Sequence, residues 1–471
     1  MKSNDNIYQV ILTLFFVALS TLDLHAQKPN IVLIFADDLG YMDVAYNGHP
    51  EFETPNIDAL AKEGLVFPNA YASAGNCAPS RACLVSGKYS PAHGVYAVWG
   101  TTRGDKSKMK VVPVPNTNHL EGKFVTMAEA LKSQGYSTGL FGKWHLGKTS
   151  ETMPLAQGFD TYFDSRQGNP NKKRDEPEDP KGIFSLTNAA CDFITENKQK
   201  PFFAFLSHHA IHSSLEARPS SFEHFKDKGL SDKQALYAAC TFDLDASVAL
   251  VRNHLRKLGL EENTLIIFTS DNGATNESPQ EPLRGNKGSY YEGGIREPFI
   301  ACMPGKITPG INTMPIINVD LYPTFVDLAG ARPDTYLDGV SIKPVLFGKQ
   351  ASVEREGIFW HFPGYLDRPV IRGRDQDFRS RPVTLMRQGD WKILLHHEEW
   401  VLNKGKRKKE GVELYNLSED IGERKDLSMT EKEIRDKLLK DLLKWMKDSG
   451  AKLPVKIDDE HQLNDDDFSY D

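Results

Sequence analysis

The chain has 471 residues, of which 39% are hydrophobic and 26% are charged, and its formal net charge at pH 7 is −7. A chain of this length can bury a large core, either as one large α/β domain with a smaller one or as two to three average domains. Its acidic balance provides no basic face of the kind that nucleic acid phosphates require, so we expect no nucleic-acid partner.

The N-terminal segment differs in composition from the rest of the chain. A lysine near the start precedes an apolar stretch from Val10 to about Leu22, and small residues before Gln27 indicate cleavage after Ala26. The stretch is shorter than the roughly 20 residues that span a bilayer, which disfavours a membrane anchor. We therefore interpret residues 1–26 as a signal peptide. The predicted protein is exported, periplasmic or secreted, with no membrane attachment after cleavage.

Apolar segments of strand length alternate with amphipathic, helix-like segments along residues 27–345. The predicted strands are residues 30–36, 136–142, 201–207, 263–270 and 298–305. Because these segments are apolar almost throughout, we expect the strands to be buried on both faces. The pattern predicts a large α/β domain in which a mostly parallel sheet lies between layers of helices.

The sequence pattern changes after about residue 345. Residues 346–455 contain short strand-like segments separated by polar turns, and then a helix-like segment with leucines and a tryptophan at helical spacing. This pattern predicts a smaller C-terminal α+β subdomain with an antiparallel sheet. Residues 456–471 are acidic, and we expect this tail to be disordered and solvated.

Polar side chains directly follow four of the predicted strands. In chain order they are Asp37 and Asp38, then Lys143 and His145, then His208, His209 and His212, and finally Asp271 and Asn272. Each group alone is compatible with an ordinary turn. Ligands of open α/β sheets bind outside the carboxyl ends of the strands, so the four groups are expected to meet at one edge. Three carboxylates and an amide oxygen form an all-oxygen ligand set that suits Ca²⁺ or Mg²⁺ better than zinc.

One of the five cysteines has an unusual context. The cysteines are too few and too scattered for a disulfide framework, and four lie in apolar or helical segments typical of buried thiols. Cys77 instead precedes Pro79, which favours the start of a helix, and Arg81 follows one turn later on the same face. A helix N-terminus with an arginine and a metal site nearby favours an anionic substrate. A cysteine protease or a thiol redox site explains the acid cluster less well.

Five motifs in this chain resemble those of a known family. Residues 77–87, CAPSRACLVSG, resemble the first sulfatase signature, C-x-P-S-R-x-x-L-x-x-G, and residues 135–147, GYSTGLFGKWHLG, resemble the second. Residues 36–43, 270–274 and 283–298 are similar to further motifs of the family, in the expected order. The resemblance implies a type I, formylglycine-dependent sulfatase with the alkaline phosphatase fold. It covers roughly residues 28–345, and the segment LYNLSEDIGERKDL extends it into the C-terminal subdomain.

The resemblance also implies a role for each motif residue. A separate maturation enzyme would oxidise Cys77 to Cα-formylglycine, whose hydrated form supplies the nucleophile. One Ca²⁺ would be bound by residue 77 together with Asp37, Asp38, Asp271 and Asn272. Arg81 and Lys143 would hold the nucleophile, His145 would accept a proton, Lys287 would bind the sulfate, and His212 would act as general acid. His209 remains an alternative to His212, because Ile211 stands where the family has a proline.

Three other functions fit the sequence less well than a sulfatase. A phosphodiesterase or phosphonate monoester hydrolase shares the fold, but the chain adds no metal ligands to the sulfatase set. A phosphatase with a serine or threonine nucleophile is disfavoured by Cys77 itself. A non-catalytic homologue that binds sulfated glycans would be expected to lack Cys77, Lys143 or His212, and all three are present.

The expected substrate is a sulfated carbohydrate, either an algal polysaccharide such as ulvan or carrageenan, or a host glycosaminoglycan or mucin. Loops over the pocket are expected to select the sugar, among them residues 100–120, 166–182 and 361–381. The last of these is unusually cationic and contains His361, Arg372, Arg374, Arg379 and Arg381. These side chains either belong to a solvated loop or bind carboxylate or sulfate groups of the polymer.

Overall fold

The computed structural model describes residues 28–169, 171–172, 175–333, 335–402 and 411–457. The predicted signal peptide and residues 458–471 of the predicted acidic tail lie outside the described residues. Among the helices that are described, none is both long enough and apolar enough to cross a membrane.

The strands of the described residues form one large sheet and several small ones. In chain order they are β1 (Asn30–Ala36), β2 (Leu65–Val66), β3 (Ala70–Tyr71), β4 (Val111–Val112), β5 (Ser137–Gly142), β6 (Thr161–Phe163), β7 (Phe202–Ser207), β8 (Thr264–Ser270), β9 (Arg296–Glu297), β10 (Ile300–Cys302), β11 (Gly310–Ile311), β12 (Ile316–Ile317), β13 (Ile358–Phe362), β14 (Leu366–Asp367), β15 (Phe378–Ser380), β16 (Val383–Gln388), β17 (Trp391–His396), β18 (Val412–Asn416) and β19 (Val455–Lys456). The large sheet has eight strands in the order β11-β2-β10-β8-β1-β7-β5-β6.

The centre of the large sheet is parallel, as predicted. Strands β8, β1, β7, β5 and β6 all run in the same direction. At one side β10 runs antiparallel to both β8 and β2, so the sheet as a whole is mixed. The carboxyl ends of β1, β5, β7 and β8 therefore lie at the same edge, which is where the polar residues were expected to meet.

Strand β1 illustrates why the apolar pattern produces a buried central strand. All seven of its residues are buried. Because side chains alternate along a strand, residues 31, 33 and 35 pack into the core on one face and residues 32, 34 and 36 into the core on the other. Helices cover both faces, so neither set of side chains reaches solvent.

The helices divide between the two faces of the sheet. Residues of Cys77–Ser86, Met127–Ser133 and Leu321–Leu328 pack into one core, and residues of Pro55–Glu63, Ile183–Asn197 and Asp232–Lys257 pack into the other. The remaining α-helices are Ser90–His93, Pro219–Asp227, Glu292–Ile295, Lys343–Leu346, His397–Leu402 and Lys432–Asp448. Short 3-10 helices span Tyr41–Asp43, Ala45–Asn47, Lys106–Lys108, Pro154–Gln157, Pro180–Gly182, Glu261–Asn263 and Asn318–Asp320.

The C-terminal region contains the predicted antiparallel sheet. Its strands are ordered β13-β16-β17-β18, with antiparallel pairing throughout. The helix Lys432–Asp448 covers this sheet with an apolar stripe at helical spacing, and the buried residues of the stripe include Leu438, Leu442 and Met446. The α+β prediction for this part of the chain agrees with the observed elements.

A buried ion network joins the C-terminal sheet to the rest of the molecule. Glu292 accepts hydrogen bonds from Lys392 at 2.9 Å, Arg296 at 2.7 Å and the Tyr71 hydroxyl at 2.7 Å. Lys392 lies on β17 and also pairs with Glu423 at 2.8 Å. Burial alone would raise the pKa of Glu292, but Lys392 and Arg296 outweigh this effect and lower it. Because each charge has several partners, the network holds β17 of the C-terminal sheet to β3 and β9, which carry Tyr71 and Arg296, without an isolated buried ion.

Candidate active site

The residues that follow the central strands do converge at one edge of the sheet. Asp37 and Asp38 follow β1, and Asp271 and Asn272 follow β8, which is the parallel neighbour of β1. Carboxylate oxygens of Asp37 and Asp271 and the sulfur of Cys77 lie within 4.8 Å of one another, and all three residues are buried. The strand register thus brings residues more than 230 positions apart into one cluster. For example, the backbone N–H of Asp38 donates to Asp271 Oδ1 at 3.1 Å.

Cys77 is the first residue of the helix Cys77–Ser86, as the Pro79 position predicted. The helix therefore points the positive end of its dipole at the cluster. Arg81, four residues on, lies on the same side and donates to Asp271 Oδ2 at 2.9 Å through Nε. Its Nη1 donates to the Lys143 carbonyl at 3.1 Å and to the Ser207 hydroxyl at 2.5 Å. Arg81 consequently links the ends of β5, β7 and β8.

Each of three basic side chains in this site pairs with one carboxylate. Arg81 pairs with Asp271, Lys143 Nζ contacts Asp37 Oδ2 at 2.7 Å, and Lys287 Nζ contacts Asp38 Oδ1 at 2.6 Å. Lys143 is fully buried, whereas 12% of the Lys287 side chain is exposed. Lys287 therefore faces the opening of the site, and Lys143 lies at its floor.

Two buried oxygens of the cluster have no hydrogen-bond partner. They are Asp37 Oδ1 and Asn272 Oδ1. The amide nitrogen of Asn272 donates to Asp38 Oδ1 at 2.8 Å, which orients the unpartnered carbonyl oxygen. Buried oxygens without donors are costly unless something else satisfies them. A carboxylate oxygen and an amide oxygen, both buried and left without donors, are ligands of the kind that a hard divalent cation takes.

The pKa values within the cluster are shifted in opposite directions. Burial raises the pKa of Asp271 to about 8, although Arg81 opposes the shift. Burial also disfavours charge on Asp37, but Lys143, His212 and Arg81 outweigh it and hold the pKa of Asp37 well below its usual range. A bound divalent cation would be the largest charge in the site and would favour the ionised form of both.

Two of the histidines that follow β7 have different surroundings. His209 is buried, and its Nε2 contacts Asp164 Oδ1 at 2.8 Å. His212 is 19% exposed, and its Nε2 lies 3.8 Å from Asp38 Oδ2, on the same side as Lys287. Burial and Lys287 lower the pKa of His212 to about 4. The geometry thus leaves His212, and not His209, facing the opening of the site.

His145 lies at the end of the segment that follows β5. Its backbone is in the left-handed region, with φ at 67°, an uncommon conformation for a residue other than glycine. Its Nδ1 is buried without a partner, and burial together with Lys143 and Arg81 lowers its pKa well below the usual value. The ring is therefore neutral in these surroundings and has a nitrogen available to accept a proton.

Two residues that contact the site, Asp164 and Ser207, were not identified from the sequence, and Arg379 was named there only as one cation of the segment 361–381. Asp164 contacts His209 and directly follows β6, as the other polar residues of the site follow their strands. It was missed because β6 is too short and too exposed to be recognised as a strand from the sequence. Ser207 is the last residue of β7 and contacts Arg81. Arg379 donates to the backbone carbonyl of Lys287 at 3.0 Å, a contact between sequence-distant segments that has no local signal.

Comparison with known proteins identifies the family. The sulfatase family model matches residues 29–331, which include every residue of the cluster described above. The chain belongs to the sulfatase family. A second model, for the C-terminal part of N-sulphoglucosamine sulphohydrolase, matches residues 286–449. As a member of this family the protein is a sulfuric ester hydrolase, and its fold is that of the alkaline phosphatase-like sulfatases.

Individual sulfatases are similar to this one over most of their length. A protein named sulfatase from Formosa agariphila is 34% identical over 85% of this chain and 84% of its own. The N-acetylgalactosamine-6-sulfatase of Mus musculus is 33% identical over 69% of this chain and 67% of its own. The crystal structure of Ps i-CgsB in complex with k-i-k-neocarrahexaose has a TM-score of 0.71 and 29% identity, covering 90% of this chain and 94% of that one.

Proposed function

We propose that this sulfatase is an exported enzyme that removes O-sulfate groups from a sulfated polysaccharide or oligosaccharide, with formylglycine made from Cys77 and one Ca²⁺. The observation that carries the proposal is the meeting of the Cys77 sulfur with Asp37 and Asp271 at a helix N-terminus. The signal peptide predicted from residues 1–26 supports export.

The proposed Ca²⁺ ligands are oxygens of Asp37, Asp38, Asp271 and Asn272, together with an oxygen of the matured residue 77. The unpartnered oxygens of Asp37 and Asn272 support this assignment. When bound, the ion would stabilise negative charge on the sulfuryl oxygens and on the attacking oxygen. The ion would also satisfy oxygens that the protein leaves without donors.

Cys77 is proposed to be the precursor of the nucleophile, and a separate maturation enzyme is its proposed partner. The maturation enzyme, with an external oxidant that accepts the electrons, would convert the thiol to an aldehyde with loss of the cysteine sulfur. Hydration of the aldehyde supplies a hydroxyl for attack on the sulfur of the sulfate ester. Arg81 and Lys143 lie beside position 77 and would orient that hydroxyl through charge-assisted hydrogen bonds. His145, with a neutral ring and a free nitrogen, would accept the proton of the second hydroxyl of residue 77 when the sulfated residue releases sulfate and the aldehyde re-forms.

Two residues at the opening are proposed to act on the substrate. Lys287 would bind a sulfuryl oxygen, because its ammonium group lies at the partly exposed side of the cluster. His212 would hold the proton that is delivered to the leaving sugar oxygen. A sulfate ester adds negative charge next to the ring, which favours the protonated imidazole needed for this role.

The charge balance of the site supports an anionic substrate. Arg81, Lys143 and Lys287 supply three positive charges, and Asp37, Asp38 and Asp271 supply three negative ones, so the ionised cluster is neutral. A divalent cation changes this balance to +2. A bound sulfate ester then lowers the net charge to +1, so binding of the metal favours binding of the substrate, and the reverse.

The carbohydrate substrate is supported by the relatives. Ps i-CgsB was crystallised with a neocarrahexaose, and the mouse relative is named an N-acetylgalactosamine-6-sulfatase. Carrageenan-like algal glycans and glycosaminoglycans are therefore the first candidates for this enzyme. A simple aryl sulfate would report the chemical step without sugar recognition.

The proposal is tested by assaying release of inorganic sulfate from a panel of defined sulfated oligosaccharides and from an aryl sulfate. The protein is expressed with and without a formylglycine-forming enzyme. We expect sulfate release only from the matured protein, and much slower release of phosphate from matched phosphate esters. Faster hydrolysis of the phosphate or phosphonate esters would contradict the proposal and favour the related hydrolases that share the fold.

Removing the metal should remove both activity and stability. Chelation should abolish sulfate release, and Ca²⁺ should restore it. At a free Ca²⁺ concentration 100 times the Kd, the native state should gain about 2.7 kcal/mol, which a thermal melt detects independently of activity.

The control for the metal prediction is a pair of isosteric substitutions. Asp271→Asn should lose the Ca²⁺-dependent rise in Tm, whereas Asp192→Asn, at an exposed helical position, should retain it. Stoichiometric zinc with histidine ligands in the active protein would contradict the assignment.

A further inference from the structure

Most of the cations in the segment 361–381 are occupied by internal contacts. Arg372 pairs with Glu281 at 2.6 Å, Arg374 with Glu399 at 2.9 Å, and Arg381 with Glu398 at 2.9 Å. His361 is buried, with its ring nitrogens against Thr384 Oγ1 and the Lys452 carbonyl. These four side chains therefore stabilise the subdomain, and they do not form a free cationic surface.

Arg379 differs from the other arginines of this segment. Within the described residues it has no carboxylate within salt-bridge distance, and its guanidinium donates only to backbone carbonyls, those of Arg368 at 3.2 Å and Lys287 at 3.0 Å. Gly288 makes this approach possible, because a Cβ there would lie 2.2 Å from Arg379 Cδ. The guanidinium is thus held next to the residue proposed to bind the scissile sulfate.

Two more arginines lie around Arg379. Burial, then Arg103, and more weakly Arg368, lower the pKa of Arg379, while Asp367 and Asp38 oppose the shift, which places all four within electrostatic range. Arg103 pairs with Asp367 at 2.5 Å, and Arg368 Nε lies 3.7 Å from the same carboxylate. Arg103 and Arg368 thus share one carboxylate, and Arg379, whose Nε donates to the Arg368 carbonyl, adds a third guanidinium group without a carboxylate of its own among the described residues. The Arg368 side chain is 82% exposed.

The loop that carries Arg103 also presents an exposed aromatic ring. Trp99 is 84% exposed, and its backbone φ of 70° is an outlier for a bulky residue. Within the loop, Arg103 Nη1 approaches the Val98 carbonyl at 3.5 Å. The backbone N–H of Tyr365 donates to the Thr101 carbonyl at 2.7 Å, which ties the loop to the segment that precedes Arg368. Strained residues persist where contacts enforce them, and they are common at ligand sites.

We propose that Arg103, Arg368 and Arg379 form a second anion subsite, which binds a sulfate or carboxylate on the sugar next to the one that is desulfated, with Trp99 as a platform for the sugar ring. The inference rests on the proposed function, because it extends the same pocket along the polymer. It assigns the substrate to the polyanionic glycans, with at least two acidic groups on neighbouring sugars. Guanidinium groups suit this task because their fork geometry matches sulfate and carboxylate oxygens.

The test uses three disaccharides that carry the same scissile sulfate. In one the neighbouring sugar has a second sulfate, in another a uronate carboxylate, and in the third no charge. For the matured wild-type enzyme, kcat/KM should be higher for at least one charged disaccharide than for the neutral one. Arg368→Gln and Arg379→Gln should each lower that preference about 10- to 100-fold, mainly through KM, since each removes charge-assisted hydrogen bonds.

The matched control is Arg256→Gln. Arg256 is 56% exposed and pairs with Glu261, which leads into the start of β8 at the opposite edge of the sheet, so this variant should keep the wild-type preference. Trp99→Ala should raise KM for all three disaccharides but not for an aryl sulfate, and Trp99→Phe should restore part of the loss. Binding of the same disaccharides to the Cys77→Ala protein, measured by calorimetry, gives a readout that does not depend on turnover.

The outcomes separate the subsite from the proposed function. Loss confined to the disulfated or to the uronate substrate supports the subsite and identifies the anion it takes. An equal loss on all three disaccharides in both arginine variants, or no preference for charge in the wild-type enzyme and in calorimetry, overturns the subsite. If the matured wild-type protein releases sulfate from no substrate, the proposed function fails, while the calorimetric comparison still decides whether the arginines bind an anionic sugar.

Discussion

Replacing Cys77 with alanine should lower sulfate release from every substrate by at least about 10⁴-fold, because the variant lacks the precursor of the nucleophile. The residue stands at the first position of the helix Cys77–Ser86, next to Arg81 and the acid cluster, so no neighbouring group can replace it in position. In the active wild-type protein, mass spectrometry should find the peptide with residue 77 lighter by about 18 Da, the change from thiol to aldehyde.

A second cysteine provides the control for this prediction. Cys191 is also buried, but it lies on the helix Ile183–Asn197, which packs on the sheet away from Cys77, so Cys191→Ala should keep the activity. Cys77→Ser should be inactive unless the maturation enzyme also accepts serine. Active protein in which residue 77 is entirely unmodified cysteine would contradict the proposed chemistry.

The parallel centre of the sheet and the main cluster were predictable because both follow from local patterns. A strand that is apolar on both faces has to be buried on both, and β1 after its first residue and β8 over residues 265–268 have this pattern. Their polar successors, Asp37 and Asp271, then meet at one edge because the strands are parallel neighbours. Strand β6 carries too few residues for the same reasoning. Strand β10 lies within the predicted strand 298–305, but its antiparallel direction depends on tertiary packing.

Contacts between distant segments could not be predicted from the sequence. The cationic composition of residues 361–381 is visible in the sequence, but its meaning depends on which arginines have acidic partners. Glu281, Glu399 and Glu398 neutralise three of them, whereas Arg379 is left beside Lys287. Likewise, the choice between His209 and His212 depends on Asp164, whose position follows from the pairing of β6 with β5.

His212 and Lys287 should respond differently to the quality of the leaving group. If His212 protonates the leaving oxygen, His212→Ala should lower kcat/KM for a glycan sulfate by about 10²–10⁴-fold, because a sugar hydroxyl is a poor leaving group. The leaving group of an activated aryl sulfate departs without a proton, so the fall in kcat/KM for that substrate should be far smaller. Lys287→Ala removes a cation from the sulfuryl group that both substrates share, so both rates should fall by a similar factor.

The same pair of substrates distinguishes the two histidines. His209 contacts Asp164 and is buried beneath the pocket, so His209→Ala should alter both rates alike, through the positions of its neighbours. His224→Ala, at an exposed position paired with Glu53, is the neutral control. If His209→Ala shows the leaving-group dependence and His212→Ala does not, the acid is His209 and the proposed assignment is wrong. If neither variant shows it, the proton comes from another group, and the 3.8 Å approach of His212 to Asp38 would then reflect electrostatic support of the metal site alone.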